Sequence, residues 1–328
     1  MTQLTNDQRQ AIARRRLVSV LTTNTVATWR TLEQKIADAG PSPQRIDPHA
    51  LTEARNDLIN TGVVVQVKEA VTYFHLASVS PDVLKAKLSL VRPIWVAVRQ
   101  HDVTLRMGQA LEIAAYRAFI QQTAFQTFGG FLDLDEHEDH KLYKKEEPPS
   151  SISGRTCTGK LDFLLLCSGD LIGVELKNIR EWLYPDRKEV REFIEKCVAL
   201  DALPVLIARR IPFVTFKVLN SCGIIIHQTY NQLYANADAA IAAKARDKHL
   251  LGFHDIRIGN LPDKRMLKFV NHNLPGLVPE MRQRFNVFKD LLQGFVSNEL
   301  KYPEFAARVR RRTEGTNEDN DFSEDDQD

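Results

Sequence analysis

The chain has 328 residues, 43% hydrophobic and 26% charged, which suits two or three soluble domains with a sizeable core and excludes a disordered or fibrous chain. No apolar run is long enough to span a bilayer, the N-terminus lacks a charged-then-apolar leader pattern, and Cys157, Cys167, Cys197 and Cys222 are too widely spaced for a disulfide scaffold or a CxxC cluster, so a reducing cytoplasm is expected. The net charge of +2 hides a division: residues 314–328 hold eight acids and no base, so the rest of the chain is basic, as a polyanion-binding protein would be.

Gln8–Thr22 is predicted as a helix, and its Arg14, Arg15 and Arg16 suit either phosphates or plain solvation. Thr28–Asp38 forms a second, with Trp29, Leu32 and Ile36 at helical spacing. After the break at Gly40-Pro41-Ser42-Pro43, Asp47 caps a third helix that has Pro48 at its first position and runs to about Asn60. Val63–Val67 and Val71–Leu76 then make a hairpin around Lys68-Glu69-Ala70. Three helices followed by a hairpin, over residues 1–79, resemble a winged helix. That resemblance implies DNA contacts from Arg55 and Asn56 on the third helix, with Arg14 and Arg15 on phosphates. Glu53 and Asp57 on the same helix keep a protein-interaction role open beside it.

Residues 80–104 read as a helical connector, with a helix over Asp82–Val91. Gly108–Phe128 is the next predicted helix. On it Glu112 falls near Tyr116, Phe119 and Thr123, so its carboxylate needs a partner or is left desolvated. Asp133–His140 is dense in acids and holds His137 and His140, a conceivable metal site. It continues into Lys141, Lys144, Lys145, Glu146, Glu147, Pro148, Pro149, Ser150 and Ser151, the composition of an exposed loop, and the loop reading is preferred.

Gly159–Cys167 and Leu171–Lys177 read as two short apolar strands joined by Ser168-Gly169-Asp170. Asp162, Glu175 and Lys177 interrupt these strands. Glu175 and Lys177 share a face, and a loop with an even number of residues sets Asp162 opposite Glu175. Two carboxylates that close need a cation. Lys177 supplies one, and Mg²⁺, held by one or two carboxylates with water and phosphate oxygens, supplies a better one. The constellation suits phosphodiester hydrolysis; the plainer reading is a surface hairpin with a Glu–Lys ladder.

Asp162, twelve residues and then Glu175-Leu176-Lys177 resemble the signature of the PD-(D/E)xK nuclease superfamily, although Leu161 stands where the motif's Pro would be. The resemblance covers about residues 105–230. It implies an α/β, restriction-endonuclease-like mixed sheet flanked by helices, and Mg²⁺ or Mn²⁺ held by Asp162, Glu175 and the Leu176 carbonyl. Lys177 would orient or activate the attacking water. Glu112 matches the family's helix acid and would reach the metal through water. Lys160 and Gln228 are the expected nucleic-acid contacts, and the products would carry 5′-phosphate and 3′-hydroxyl ends.

Beyond this hairpin a helix is predicted over Asp186–Cys197, with strands at Leu203–Ala208 and Gly223–His227. Residues 231–312 are expected to be mostly helical, with helices at Ala235–Ala245 and Pro279–Asn298 and a short strand at His254–Ile258. A disordered acidic tail is expected over 313–328. No Gly-rich phosphate loop is present. The expected function is a metal-dependent DNA endonuclease acting as a homodimer, with no membrane association, in restriction, defence or recombination. A non-catalytic winged-helix regulator and an RNase on the same fold remain the alternatives.

Overall fold

The computed structural model describes residues 4–37, 46–135, 137–138 and 140–316. The Gly40–Pro43 break and most of the acidic tail lie outside the described residues. The chain divides into two compact units: residues 1–104 with 236–258, and residues 105–235 with 259–328. The expected connector and the segment 236–258 therefore both belong to the first unit.

In the first unit, α1 (Asn6–Asn24) opens on a Thr5/Gln8 capping box, α2 (Trp29–Ile36) is capped by Thr28, and α3 (Pro48–Asn60) by Asp47. β2 (Val64–Lys68) and β3 (Thr72–Leu76) form the expected hairpin. A strand that the sequence did not suggest, β1 (Val26–Thr28), pairs antiparallel with β3, giving the order β1-β3-β2. Three residues between two helices carry no readable alternation, and β1 is set by its pairing. α4 spans Pro81–Val98 and runs through Pro93, past the predicted end at Val91. Its buried stripe Leu88, Val91, Ile94, Trp95 and Val98 continues across the proline, and burying that stripe outweighs one missing hydrogen bond. Trp95 meets Phe253 edge-on at 5.8 Å.

The second unit is mixed α/β, a mixed sheet flanked by helices. β9 (Phe163–Cys167) and β10 (Asp170–Lys177) are antiparallel, while β10, β11 (Leu203–Ala208) and β12 (Ile225–Gln228) run parallel. β4 (Gln126–Phe128) completes the order β12-β11-β10-β9-β4. The predicted helix over 108–128 is corrected at both ends. α5 spans His101–Ile120, and the residues beyond it pair as β4 with β9, where ladder hydrogen bonds satisfy the exposed edge of the sheet. The expected loop over 141–151 is corrected too. β5 (Gly130–Phe131) pairs with β6 (Lys145–Glu146), and β7 (Ser151–Ile152) with β8 (Arg155–Thr156).

α6 (Lys188–Leu200) buries Val190, Phe193, Ile194 and Cys197. α7 (Phe213–Ser221) lies between β11 and β12 and was not predicted. A short strand β13 (Gln232–Tyr234) follows. In the first unit, α8 (Ala239–Arg246) and β14 (Ile256–Ile258) answer to the expected Ala-rich helix and short strand. In the second unit again, α9 (Lys264–Lys268), α10 (Leu274–Val296) and α11 (Tyr302–Glu314) follow. α11 carries the chain to Glu314, so the expected tail boundary at 313 moves. Its Arg308 and Arg312 are engaged by Glu304 and Asp290.

One core joins the sheet to these helices, from Leu111 and Phe119 through Ile172, Val205 and Ile225 to Phe285, Phe295 and Phe305. Gly223, with φ +83°, sits where a Cβ would come within 2.4 Å of the backbone of Met281 and Phe285. Close seating of α10 therefore requires glycine there. Gly223→Ala should lower stability by about 3 kcal/mol, read as a fall of about 6 °C or more in Tm by circular dichroism.

Candidate active site

The hairpin turn decides the register. Ser168 and Gly169 have φ of 51° and 90°, the left-handed pair of a two-residue loop whose twist matches the strands. Cys167 then faces Asp170, and Val174 faces Phe163. The Asp162 N–H also donates to the Val174 carbonyl, at 3.1 Å, so Asp162 is an extra residue at the start of β9, as in a bulge, and the register does not run on to an Asp162–Glu175 pair. The loop is even, and Glu175 and Lys177 share one face of β10, but Asp162 reaches them from the strand end rather than from the opposed position.

Glu175 lies in a strand buried on both sides and is 6% exposed. Its Oε1 accepts from Lys177 Nζ at 2.7 Å. Its Oε2 is buried without a hydrogen bond, 3.8 Å from Lys196 Nζ. Burial, reinforced by the Asp162 charge, raises the Glu175 pKa. Burial opposes the charge on Lys177, but Glu175 outweighs it and holds the ammonium above its ordinary pKa. Asp162 Oδ2 accepts the Leu176 N–H at 2.6 Å, which ties the two motif segments together through the backbone.

Glu112 has the partner that its place among aromatic residues called for: Lys145 Nζ lies 2.6 Å from its Oε2, with both side chains largely buried. Two periodicities bring them together. Gln109, one turn earlier on α5, receives the Tyr143 N–H at 2.8 Å and donates to the Tyr143 carbonyl at 3.0 Å. Three residues along the helix from Gln109 is Glu112, and two along the strand from Tyr143 is Lys145, so both point to the same spot. Gly130 lets β5 pass over Tyr116, whose ring atoms lie 2.3 Å from where a Cβ would be. Burial and then the Asp162 charge raise the Glu112 pKa. Burial opposes the Lys145 charge, but Glu112 and Asp162 outweigh it and raise that pKa.

The site thus sets Glu112, Asp162 and Glu175 against Lys145, Lys177 and Lys196. Sequence reasoning missed Lys145 and Lys196. Lys145 sits in a run with loop composition, and its one signal was the unmet need of Glu112. Lys196 on α6 is brought in by Gly173, where an added Cβ would lie 2.7 Å from Cys197 Sγ. The seat of Cys197 on that glycine carries the neighbouring Lys196 toward Glu175, and its Nζ also donates to the Lys160 carbonyl at 2.7 Å. Asn178 pins the chain just past Lys177, donating to the Met107 and Leu233 carbonyls at 2.6 and 2.7 Å.

The predicted nucleic-acid contacts fare less uniformly. Lys160 is exposed beside Asp162. Gln228 is turned to the protein, its Oε1 accepting the Ile211 N–H at 3.0 Å. Arg14, Arg15, Arg55 and Asn56 lie in the first unit. Arg14 pairs with Asp57 at 3.1 Å, and Arg15 is exposed. Arg55 stacks on Trp29 at 4.3 Å and donates to the exposed Asn56; burial lowers its pKa. In the Asp133–His140 segment, His137 stacks on Tyr143 at 3.4 Å and meets Asp133 at 3.5 Å; Glu136 and Asp139 lie outside the described residues.

Among the described residues, no three His, Cys, Asp or Glu side chains form a ready metal cage. The donor set of Asp162 with the orphaned Glu175 Oε2 nonetheless fits a hard divalent ion that keeps most of its water. No protein-family model matches the chain, and no curated protein or solved structure matches it either. Among the described residues, no helix is long and apolar enough to cross a membrane.

The Glu112–Lys145 pair has a pH signature. Between the ordinary carboxylate range and the raised pKa of Glu112, the native state holds more protons than the unfolded one, so this group's contribution to stability falls as pH rises. Lys145→Met removes the compensating cation and steepens that fall. The variant should lose about 3 kcal/mol at pH 8 and markedly less at pH 5, compared by urea unfolding. An equal loss at both pH values would mean that Lys145 acts by packing alone.

Proposed function

We propose that the chain is a divalent-metal-dependent nuclease of the PD-(D/E)xK type, acting on DNA. The observation that carries the reading is the bond from the Leu176 N–H to Asp162 Oδ2 at 2.6 Å, which holds the Asp162 carboxylate beside a buried Glu175 whose other neighbour is Lys177. A strand pair folded for stability alone gains little from two neighbouring carboxylates, whereas phosphoryl chemistry uses such a pair. The five-stranded order β12-β11-β10-β9-β4, with α5 and α6 beside it, supports a restriction-endonuclease-like core. The three helices and hairpin of the first unit support a winged helix that positions the substrate. Two copies acting together would cut both strands.

Asp162 and Glu175 would hold Mg²⁺ or Mn²⁺, which when bound supplies polarisation of the scissile phosphate and of a water. Lys177, fixed by its bond to Glu175, aims an ammonium at charge that grows on the phosphate oxygens and orients the attacking water. Water attack on phosphorus breaks the bond to the 3′ oxygen, leaving a 5′-phosphate and a 3′-hydroxyl. Glu112, held by Lys145, sets the negative potential beside Asp162. Lys196 offsets the second oxygen of Glu175.

Incubation with plasmid, single-stranded and branched DNA in Mg²⁺ or Mn²⁺ is expected to give metal-dependent cleavage. Asp162→Ala and Lys177→Ala should each lower the rate by about 10² or more while keeping the far-ultraviolet spectrum of the wild type. A chain that binds DNA but cuts none of these substrates with either ion sinks the nuclease reading, and RNA cut in preference to DNA would transfer it to an RNase.

A further inference from the structure

Glu112 is the acid expected to reach the metal through water, yet its Oε2 is already met by a cation of the protein's own. Lys145 Nζ lies 2.6 Å from that oxygen, and the Asp162 charge acts on the same ammonium. The strand that carries Lys145 is held from several sides. The Lys144 N–H donates to Asp133 Oδ1 at 2.9 Å, and the Leu132 N–H to the Lys144 carbonyl at 3.0 Å. Tyr143 is clamped to Gln109 on α5 through both its N–H and its carbonyl. Phe131 stands across from Lys145 in the β5–β6 pair. The ammonium lies 5.1 Å from the centre of the Phe163 ring and 5.9 Å from that of Phe131, and Tyr116 backs Phe163 in a stack at 5.7 Å.

An ammonium and a hydrated divalent ion suit different surroundings. Aromatic faces attract an ammonium, whereas Mg²⁺ keeps several waters and is surrounded by oxygen. Beside Asp162 the seat offers one glutamate and two ring faces, and Lys145 fills it. Charge points the same way. The carboxylates of Glu112, Asp162 and Glu175 are balanced by Lys145, Lys177 and Lys196. One divalent ion adds a positive charge that the phosphates of a substrate strand neutralise; a second doubles that charge against the same phosphates.

We propose that Lys145 is a tethered cation standing where a second divalent ion would bind, between Glu112 and Asp162, so that the site loads a single ion on Asp162 and Glu175. The proposal rests on the nuclease reading and fixes its metal requirement. Glu112 is then a positioning residue: it holds Lys145, and with it a fixed positive charge beside Asp162, without touching the ion. The side chains of Lys145 and Glu112 keep 11% and 18% of their surface open, so truncating Lys145 leaves Glu112 within reach of an ion from solution.

The test is a Mn²⁺ titration of the full chain without DNA, followed by the electron paramagnetic resonance signal of free Mn²⁺, which falls as the ion is bound. Wild type should take up one ion. Lys145→Ala, which opens room for an ion and its water, should take up two, and Lys145→Arg, which keeps the charge, one. Glu112→Gln/Lys145→Ala should return to one, because the second seat has lost its carboxylate. Glu112→Gln alone should keep one ion, and Asp162→Asn should lose it. Two ions in wild type, loss of the ion in Glu112→Gln, or one ion in a folded Lys145→Ala each overturn the tethered cation. The first two outcomes decide even where Lys145→Ala does not fold. With DNA cleavage intact, all three leave the nuclease reading standing. Wild type that takes up no ion overturns the proposal, and if it also cleaves no DNA in Mn²⁺ the nuclease reading falls with it.

Discussion

Three carboxylates packed against one end of a buried sheet cannot all stay ionised without cations, and much of the second unit answers that constraint. The two glutamates are met by lysines from three elements. Glu175 is met by Lys177 from its own strand and by Lys196 from α6, and Glu112 by Lys145 from a strand that crosses over α5. Asp162 sits between these pairs, adding to the burial that raises the pKa of both glutamates and helping to hold both ammonium groups charged. Such pairs add little net stability over apolar packing, and breaking one is expensive.

The packing around the site follows from close approaches. Gly173 admits Cys197 and with it Lys196; Gly130 admits Tyr116 under β5; Gly223 admits the backbone of α10. Each removes a side chain where another element must come within van der Waals distance of the backbone. The result is a cluster placed by rigid elements rather than by long loops, with the parallel ends of β10, β11 and β12 on the same edge. In open sheets with parallel strands, the ends where the strands stop leave backbone turns and side chains free to meet a ligand.

The strands most legible in the sequence were those whose burial is complete. Leu203–Ala208 and the hairpin at Asp162–Lys177 read clearly, since unbroken apolar runs bounded by turn residues admit few other structures. β1 and β4 were not legible: three residues each, they exist because a neighbouring strand offers hydrogen bonds. The loop composition of 141–151 concealed Lys145, whose burial comes from tertiary pairing with Glu112. Arg55 shows the converse: a cation on a candidate recognition helix reads as a DNA contact, and the sequence carries no sign that Trp29 from another helix lies within stacking distance of it.

The sequence by itself determined the register of the hairpin from Phe163 to Val174, because a two-residue turn and strict alternation leave one pairing; the seat of Asp162 beside Glu175 came from its bond to the Leu176 N–H. It also determined that Glu112 would need a partner, because burial of an unpaired carboxylate is too costly to persist. Only the tertiary structure decided which cations answer these acids, because Lys145 and Lys196 are far along the chain and their approach depends on where β6 and α6 are seated. It likewise decided that the Lys145 ammonium lies over the rings of Phe131 and Phe163, since those contacts follow from the packing of the sheet and its helices rather than from any local pattern.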